Sequence, residues 1–183
     1  KKGIRRPFSL TGAPMLWTVK LFSAFLLLGL CLNACSKSPS STGPGFSNDF
    51  QKSDPQISQM VEAVRQTGGK SSDGNLNSRV CSLAMGHLDD MVSEGEISHN
   101  GFSERSQKMS QWGGTGSGEI VASNCSSGLS LSRGATACAK SWVSSPGHWS
   151  QMKKYWDNYC YAVKLAGNCA YCIGLFTNGD LSP

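Results

Sequence analysis

Three polar residues of the kinds that do chemistry lie outside the apolar patterns of this chain: His99, Glu119 and His148. Two neutral imidazoles and one carboxylate form a ligand set for a divalent ion such as zinc, with a coordination position left for water. The same groups suit proton transfer, because histidine titrates near neutral pH and a neighbouring carboxylate tunes it. The plainer alternative is that both histidines bond to loop backbone and that Glu119 pairs locally. Spacing along the chain does not choose between these. The third histidine, His87, falls on the apolar stripe of a helical segment and is expected to be a hydrogen-bonded core residue.

Cysteine is the other reactive type. Cys81, Cys125, Cys138, Cys160, Cys169 and Cys172 are an even set that fits three disulfides in an oxidising compartment. Six cysteines allow fifteen pairings, and the sequence chooses none of them. Cys169-Ala-Tyr-Cys172 has the spacing of a redox or zinc pair. It sits in an extended run, however, and not at a helix N-terminus where a thiolate would be stabilised. Other catalytic patterns are missing. The glycine-rich run at 113–118 lacks the Gly-Lys-Ser/Thr of a phosphate loop, and there is neither a His-Glu-x-x-His nor a Gly-x-Ser-x-Gly.

The elements that present these residues follow from periodicity. Ile57, Met60, Val61 and Val64 predict a helix over 56–66, with Asp54-Pro55 as its start signal. After a Gly/Ser/Asp loop at 67–75, Leu76, Val80, Leu83, Ala84, His87, Leu88, Met91 and Val92 hold one stripe, and this helix is expected to stop near Gly95. A short helix is expected over 102–112, capped by Ser103. A glycine loop leads to an extended piece at 119–122. Ala135, Cys138, Ala139, Trp142 and Val143 make another helical face, closed by Ser145-Pro146-Gly147. Two runs at 159–165 and 170–177 read as strands joined by hairpin chemistry at Ala166-Gly167-Asn168. Both are apolar on both faces apart from Lys164. The expected class is α+β: an α–β–α sandwich with a small central antiparallel sheet flanked by helices. Trp142, Trp149 and Trp156 are expected in the core or the wall of a cleft.

The start of the chain reads as a processing signal. Lys1, Lys2, Arg5, Arg6 and Lys20 precede an apolar run at 21–32, which is shorter than the roughly 20 residues that span a membrane. Leu32-Asn-Ala-Cys35 looks like a bacterial lipobox, in which the cysteine receives a diacylglycerol and becomes the new N-terminus. Residues 1–34 are thus expected to be a signal peptide, with 1–14 as an over-extended start before Met15. Residues 35–55 are expected to be a lipidated Cys35 and a flexible tether, and 56–183 the folded domain. Five of the 17 Lys and Arg residues precede Cys35 and none of the 12 Asp and Glu residues do, so the processed chain is formally neutral. It lacks the basic stripe of a nucleic-acid binder, and no nucleic-acid partner is expected. The expected location is outside the cytoplasm, lipid-anchored to the cell envelope, and on the outer membrane in a Gram-negative cell.

Four short motifs in order carry a resemblance. They are Ala84-Met-Gly-His-Leu-Asp-Asp-Met91 followed by Ile97-Ser-His99, then Gly118-Glu-Ile-Val-Ala122, then Trp142-Val-Ser-Ser-Pro-Gly-His148, then Gly147-His-Trp-Ser-Gln-Met152. Over roughly residues 57–178 the chain resembles the CAP superfamily (cysteine-rich secretory, antigen 5, pathogenesis-related) in its bacterial SCP-like form. The resemblance implies an α–β–α sandwich with a central cleft lined by two His and two Glu. His99, Glu119 and His148 fill three of those places. The stretch Ser141-Trp-Val-Ser-Ser145 has no carboxylate for the fourth, Ile120 replaces an Asn, and Lys153-Lys154 interrupt the last motif. The family shares no single reaction, so the expected role is a binding or interaction module at the envelope, with an unknown envelope or extracellular ligand and no required cofactor. A metal-assisted hydrolase using His99, Glu119 and His148 is the alternative, and a thiol-disulfide oxidoreductase at Cys169/Cys172 a further one.

Overall fold

The first helix, α1 (Asn48–Ser53), falls inside the stretch expected to be a tether. Gln51 is buried there, and its Nε2 donates to Ser78 O at 3.1 Å. The ordered part therefore starts before residue 56. The computed structural model describes residues 48–181, so the expected signal segment, Cys35 and the expected tether up to residue 47 lie outside the described residues. Among those described, no helix is long and apolar enough to cross a membrane.

Helix α2 (Pro55–Arg65) starts as its sequence dictates: Asp54 accepts from Gln56 N at 2.8 Å, and Pro55 opens the first turn. Its stripe of Ile57, Met60, Val61 and Val64 is buried. A two-residue strand, β1 (Asn75–Leu76), leads into α3 (Ser78–Glu94), which Asn77 caps by accepting from Arg79 N and Val80 N. Gly95, at φ 75°, ends α3 in the left-handed conformation that a side chain resists. Val80, Ala84, Leu88 and Met91 are all fully buried along α3. Truncating one of the large ones, such as Leu88→Ala, costs about 2–5 kcal/mol.

Helix α4 (Phe102–Gln111) is capped by Gly101 at φ 71°, not by Ser103, whose hydroxyl instead donates to Glu104. Strand β2 (Ser117–Cys125) is longer than the four residues expected, because its Gly/Ser ends pair with the sheet. Helix α5 (Leu131–Ser144) is followed at once by α6 (Pro146–Lys153), where a stop had been expected: Pro146 ends one helix and opens the next. Strands β3 (Asn158–Ala166) and β4 (Cys169–Thr177) close the chain as a hairpin.

The sheet order is β1-β3-β4-β2, with β1 parallel to β3 and the other pairs antiparallel. The fold is thus α+β with a mixed sheet, where an antiparallel one was expected. Register assigns the faces, since alternate residues point to opposite sides. Cys160 is level with Leu175, and Cys172 with Val163, so Cys160 and Cys172 project to opposite faces. Cys160 is bonded to Cys81 of α3, and Cys172 to Cys138 of α5. The third bridge, Cys125–Cys169, joins residues directly opposite each other on β2 and β4. Helices are therefore stapled to both sides of the hairpin. Trp142, Tyr159 and Phe176 pack around Tyr161, whose hydroxyl lies 2.6 Å from that of Ser71. Gly134 lets α5 come close: a Cβ there would sit 2.6 Å from Ala170 Cβ.

Candidate functional site

Glu119 stands on β2 opposite Leu175, on the face that also carries Cys160. Its side chain is only 1% exposed. A carboxylate so buried needs partners, and it has two. Arg105 of α4 clamps it, with Nε donating to Oε2 at 2.8 Å and Nη2 to Oε1 at 2.9 Å. His99 Nδ1 lies 2.9 Å from the same Oε1. With both oxygens accepting from Arg105, the carboxylate also accepts from His99, so Nδ1 carries the hydrogen and Nε2 is left as an acceptor. His99 is 53% exposed, so that acceptor is open to a ligand.

The loop bearing His99 is pinned at three points. His87 Nε2 donates to Ser98 O at 2.8 Å, Phe102 N donates to His99 O at 3.0 Å, and Arg105 Nη1 donates to Asn100 O at 2.8 Å. His87 is buried on α3, as its place on the apolar stripe led one to expect.

His148 is on α6, a helix that packs over Gly118, the residue before Glu119. A Cβ on Gly118 would come within 3.0 Å of Trp156 Cζ2 and of Gln151 Oε1, so glycine there lets α6 and the Trp156 ring approach the strand. His148 is half-buried, and its Nδ1 is shielded from solvent with no hydrogen-bond partner among the described residues. Burial holds its pKa below the ordinary histidine value, and the nearby His99 pushes it further the same way. His99 thus acts on His148, while Glu119 bonds to His99. Trp142 and Trp156 are buried in the core, and Trp149 packs against it.

Arg105 is the site residue that the sequence reading missed. The signal was there: on α4, Phe102, Arg105 and Met109 recur at helical spacing, and both Arg105 and Met109 are buried. An arginine on a buried stripe requires an acid partner, and Glu119 is that partner.

This geometry bears on the expected metal set. Among the described residues, no three or more His, Cys, Asp or Glu side chains are gathered as a metal centre requires. Both oxygens of Glu119 accept from Arg105, and its side chain is 1% exposed, so the carboxylate is held away from solvent. The divalent-ion reading of His99, Glu119 and His148 was one alternative, and among these three the contact the structure shows is the one between His99 and Glu119. The redox expectation meets a similar fact: Cys169 and Cys172 are bonded to Cys125 and Cys138 respectively, and not to each other. Three disulfides are the mark of an oxidising environment. No protein-family model, curated protein or solved structure matches this chain.

Proposed function

We propose that this chain is an envelope-displayed lipoprotein with a CAP-type α–β–α sandwich, acting as a binding module through the cleft at His99 and His148. The observation that carries the reading is the clamp on Glu119. A hydrolase of the expected kind needs a free carboxylate to activate water. Here the carboxylate is held by Arg105 and accepts from His99, which fixes that ring with Nε2 turned away from it, and burial lowers the pKa of His148, on which His99 also acts. The Arg105–Glu119 pair cancels in charge. A site of this kind suits an uncharged ligand that donates hydrogen bonds, such as a hydroxyl-rich one. Helices bonded to both faces of the hairpin support the sandwich, and the motif order supports the family. The tether and anchor rest on Leu32-Asn-Ala-Cys35.

Nuclear magnetic resonance of ring nitrogens tests the cleft. Neutral oligosaccharides are expected to shift His99 Nε2 saturably, and the response should vanish in His148→Ala. Hydrolysis of ester or peptide substrates that disappears in His99→Ala would overturn the binding reading. For the anchor, Cys35→Ala should release the protein from the membrane fraction, since two acyl chains hold where none do.

A further inference from the structure

At the β1 edge of the sheet, with Glu119 on β2 at the other edge, α1, the end of α2 and the start of β3 line a hollow of about 390 Å³, within the size range of ligand pockets. Its lining includes Lys52, Arg65, Asn77, Asn158, Tyr159 and Asp180. We infer that this hollow binds a small zwitterion, its carboxylate held by Arg65, Lys52 and the Tyr159 hydroxyl and its ammonium facing Asp180.

The argument rests on which polar groups are spent and which are open. Asn158 is spent: its Oδ1 accepts from Asn77 Nδ2 at 3.1 Å, and its Nδ2 donates to Gly179 O at 2.7 Å. Asn77 in turn caps α3. These amides are structural, and they hold the floor in shape. Tyr159 differs. It is 1% exposed, and its hydroxyl accepts from Arg65 Nη2 at 3.3 Å, while its own hydrogen has no acceptor among the described residues. Burial raises its pKa, so the phenol keeps that hydrogen. Arg65 has no ion pair among the described residues, and neither has Lys52. Among the described residues the Arg65 guanidinium donates only to Tyr159, which leaves most of its hydrogens without a partner there.

Two cations and a buried hydroxyl hydrogen thus converge on one hollow, and all three are donors. A group with several lone pairs and a negative charge satisfies them together, and a guanidinium matches a carboxylate by shape. Asp180 lines the same hollow, and Asp73 acts on Tyr159 from the loop before β1. With acids so near, a dianion is disfavoured and a ligand with its own ammonium is favoured. Leu76 and Leu181 add apolar wall, which suits an aliphatic side chain.

Three isosteric probes separate the contributions: L-leucine, 4-methylpentanoate, which lacks the ammonium, and 3-methylbutylamine, which lacks the carboxylate. Each is titrated into the full chain and followed by amide chemical shifts. Leucine is expected to saturate, 4-methylpentanoate to bind more weakly, and the amine not to bind. Arg65→Gln and Tyr159→Phe should each weaken leucine by about tenfold or more, the worth of a hydrogen bond to a charged group. Arg65 is exposed and Tyr159→Phe keeps the ring, so both variants should fold, with unchanged thermal midpoints as the check. His99→Ala should bind leucine as the wild type does, which separates this site from the His99/His148 cleft. The inference is overturned if leucine fails to saturate, if both variants bind it unchanged, or if the amine binds as well as leucine. Equal binding of 4-methylpentanoate and leucine overturns the zwitterion assignment.

Discussion

Replacing Arg105 tests the clamp most directly. Arg105→Met removes the two donors that reach both oxygens of Glu119 and the one that reaches Asn100 O. The side chains are 10% and 1% exposed, so the carboxylate left behind cannot turn to water. Only the His99 contact would remain. Breaking a buried pair from one side costs about 3–5 kcal/mol, because it strands a charge. With a urea slope of about 1–3 kcal/mol/M for a small domain, the midpoint should fall by about 1–5 M. The companion is Arg105→Met combined with Glu119→Leu, which removes the stranded charge. Replacing both partners of a buried pair by apolar groups is close to neutral, so most of the loss should return. Urea unfolding of the wild type, both single variants and the double variant closes the cycle. A cost below about 1 kcal/mol for Arg105→Met, or a double variant no better than the single, would refute the reasoning.

The bridges come next. Chain entropy puts the loss at about 4.5 kcal/mol for Cys81–Cys160, whose partners are 79 residues apart, and at about 3.8 kcal/mol for Cys138–Cys172, 34 apart. Paired Cys→Ala variants measured by unfolding give the order, and any thiol in these six that alkylates before reduction contradicts the pairing. His148 sets a pH dependence. Its folded pKa lies below the unfolded value near 6.5, so the unfolded chain takes up the proton first, and stability should fall as pH drops through that value and level off above it. Thermal midpoints between about pH 5 and 8 should show a shallower fall for His148→Gln, and an unchanged slope would count against the buried imidazole. Gly118→Ala should destabilise by about 1–3 kcal/mol through its clash with Trp156 and should shift the His148 ring signals, whereas a wild-type midpoint would mean that α6 yields freely.

Much of this was legible because local and global signals agree. The stripes of α2 and α3 are their buried faces, so periodicity, with Asp54-Pro55 before α2 and Gly95 after α3, located them to within a residue or two. The β3–β4 hairpin was legible for the same reason, with Gly167 at the turn at φ 57°. What escaped depends on distant partners. Strand β1 exists only because Asn75 and Leu76 pair with Asn158 and Tyr159, more than eighty residues on. The ends of β2 have polar and glycine residues that no strand pattern would include, yet β4 pairs with all of them. Helix α6 was hidden by its own proline, which is a stop signal to a reader and a first-turn residue to the chain. At the candidate site, residue types alone did not reveal the bonding. Nothing in the types of His99 and Glu119 tells that a third residue, Arg105, already occupies the carboxylate.

The order of the cysteines has a consequence for how the molecule is made. Among the six cysteines from Cys81 on, the bridges join the first to the fourth, the second to the fifth and the third to the sixth, so each has one sulfur in the β3–β4 hairpin. A chain delivered amino end first presents Cys81, Cys125 and Cys138 to the oxidant while all three of their proper partners are still to arrive. Any bridge closed in that interval joins two of those three to each other and has to be undone by thiol–disulfide exchange. Covalent closure therefore belongs to the end of delivery, and a chain cut short before residue 158 can form none of its three bridges.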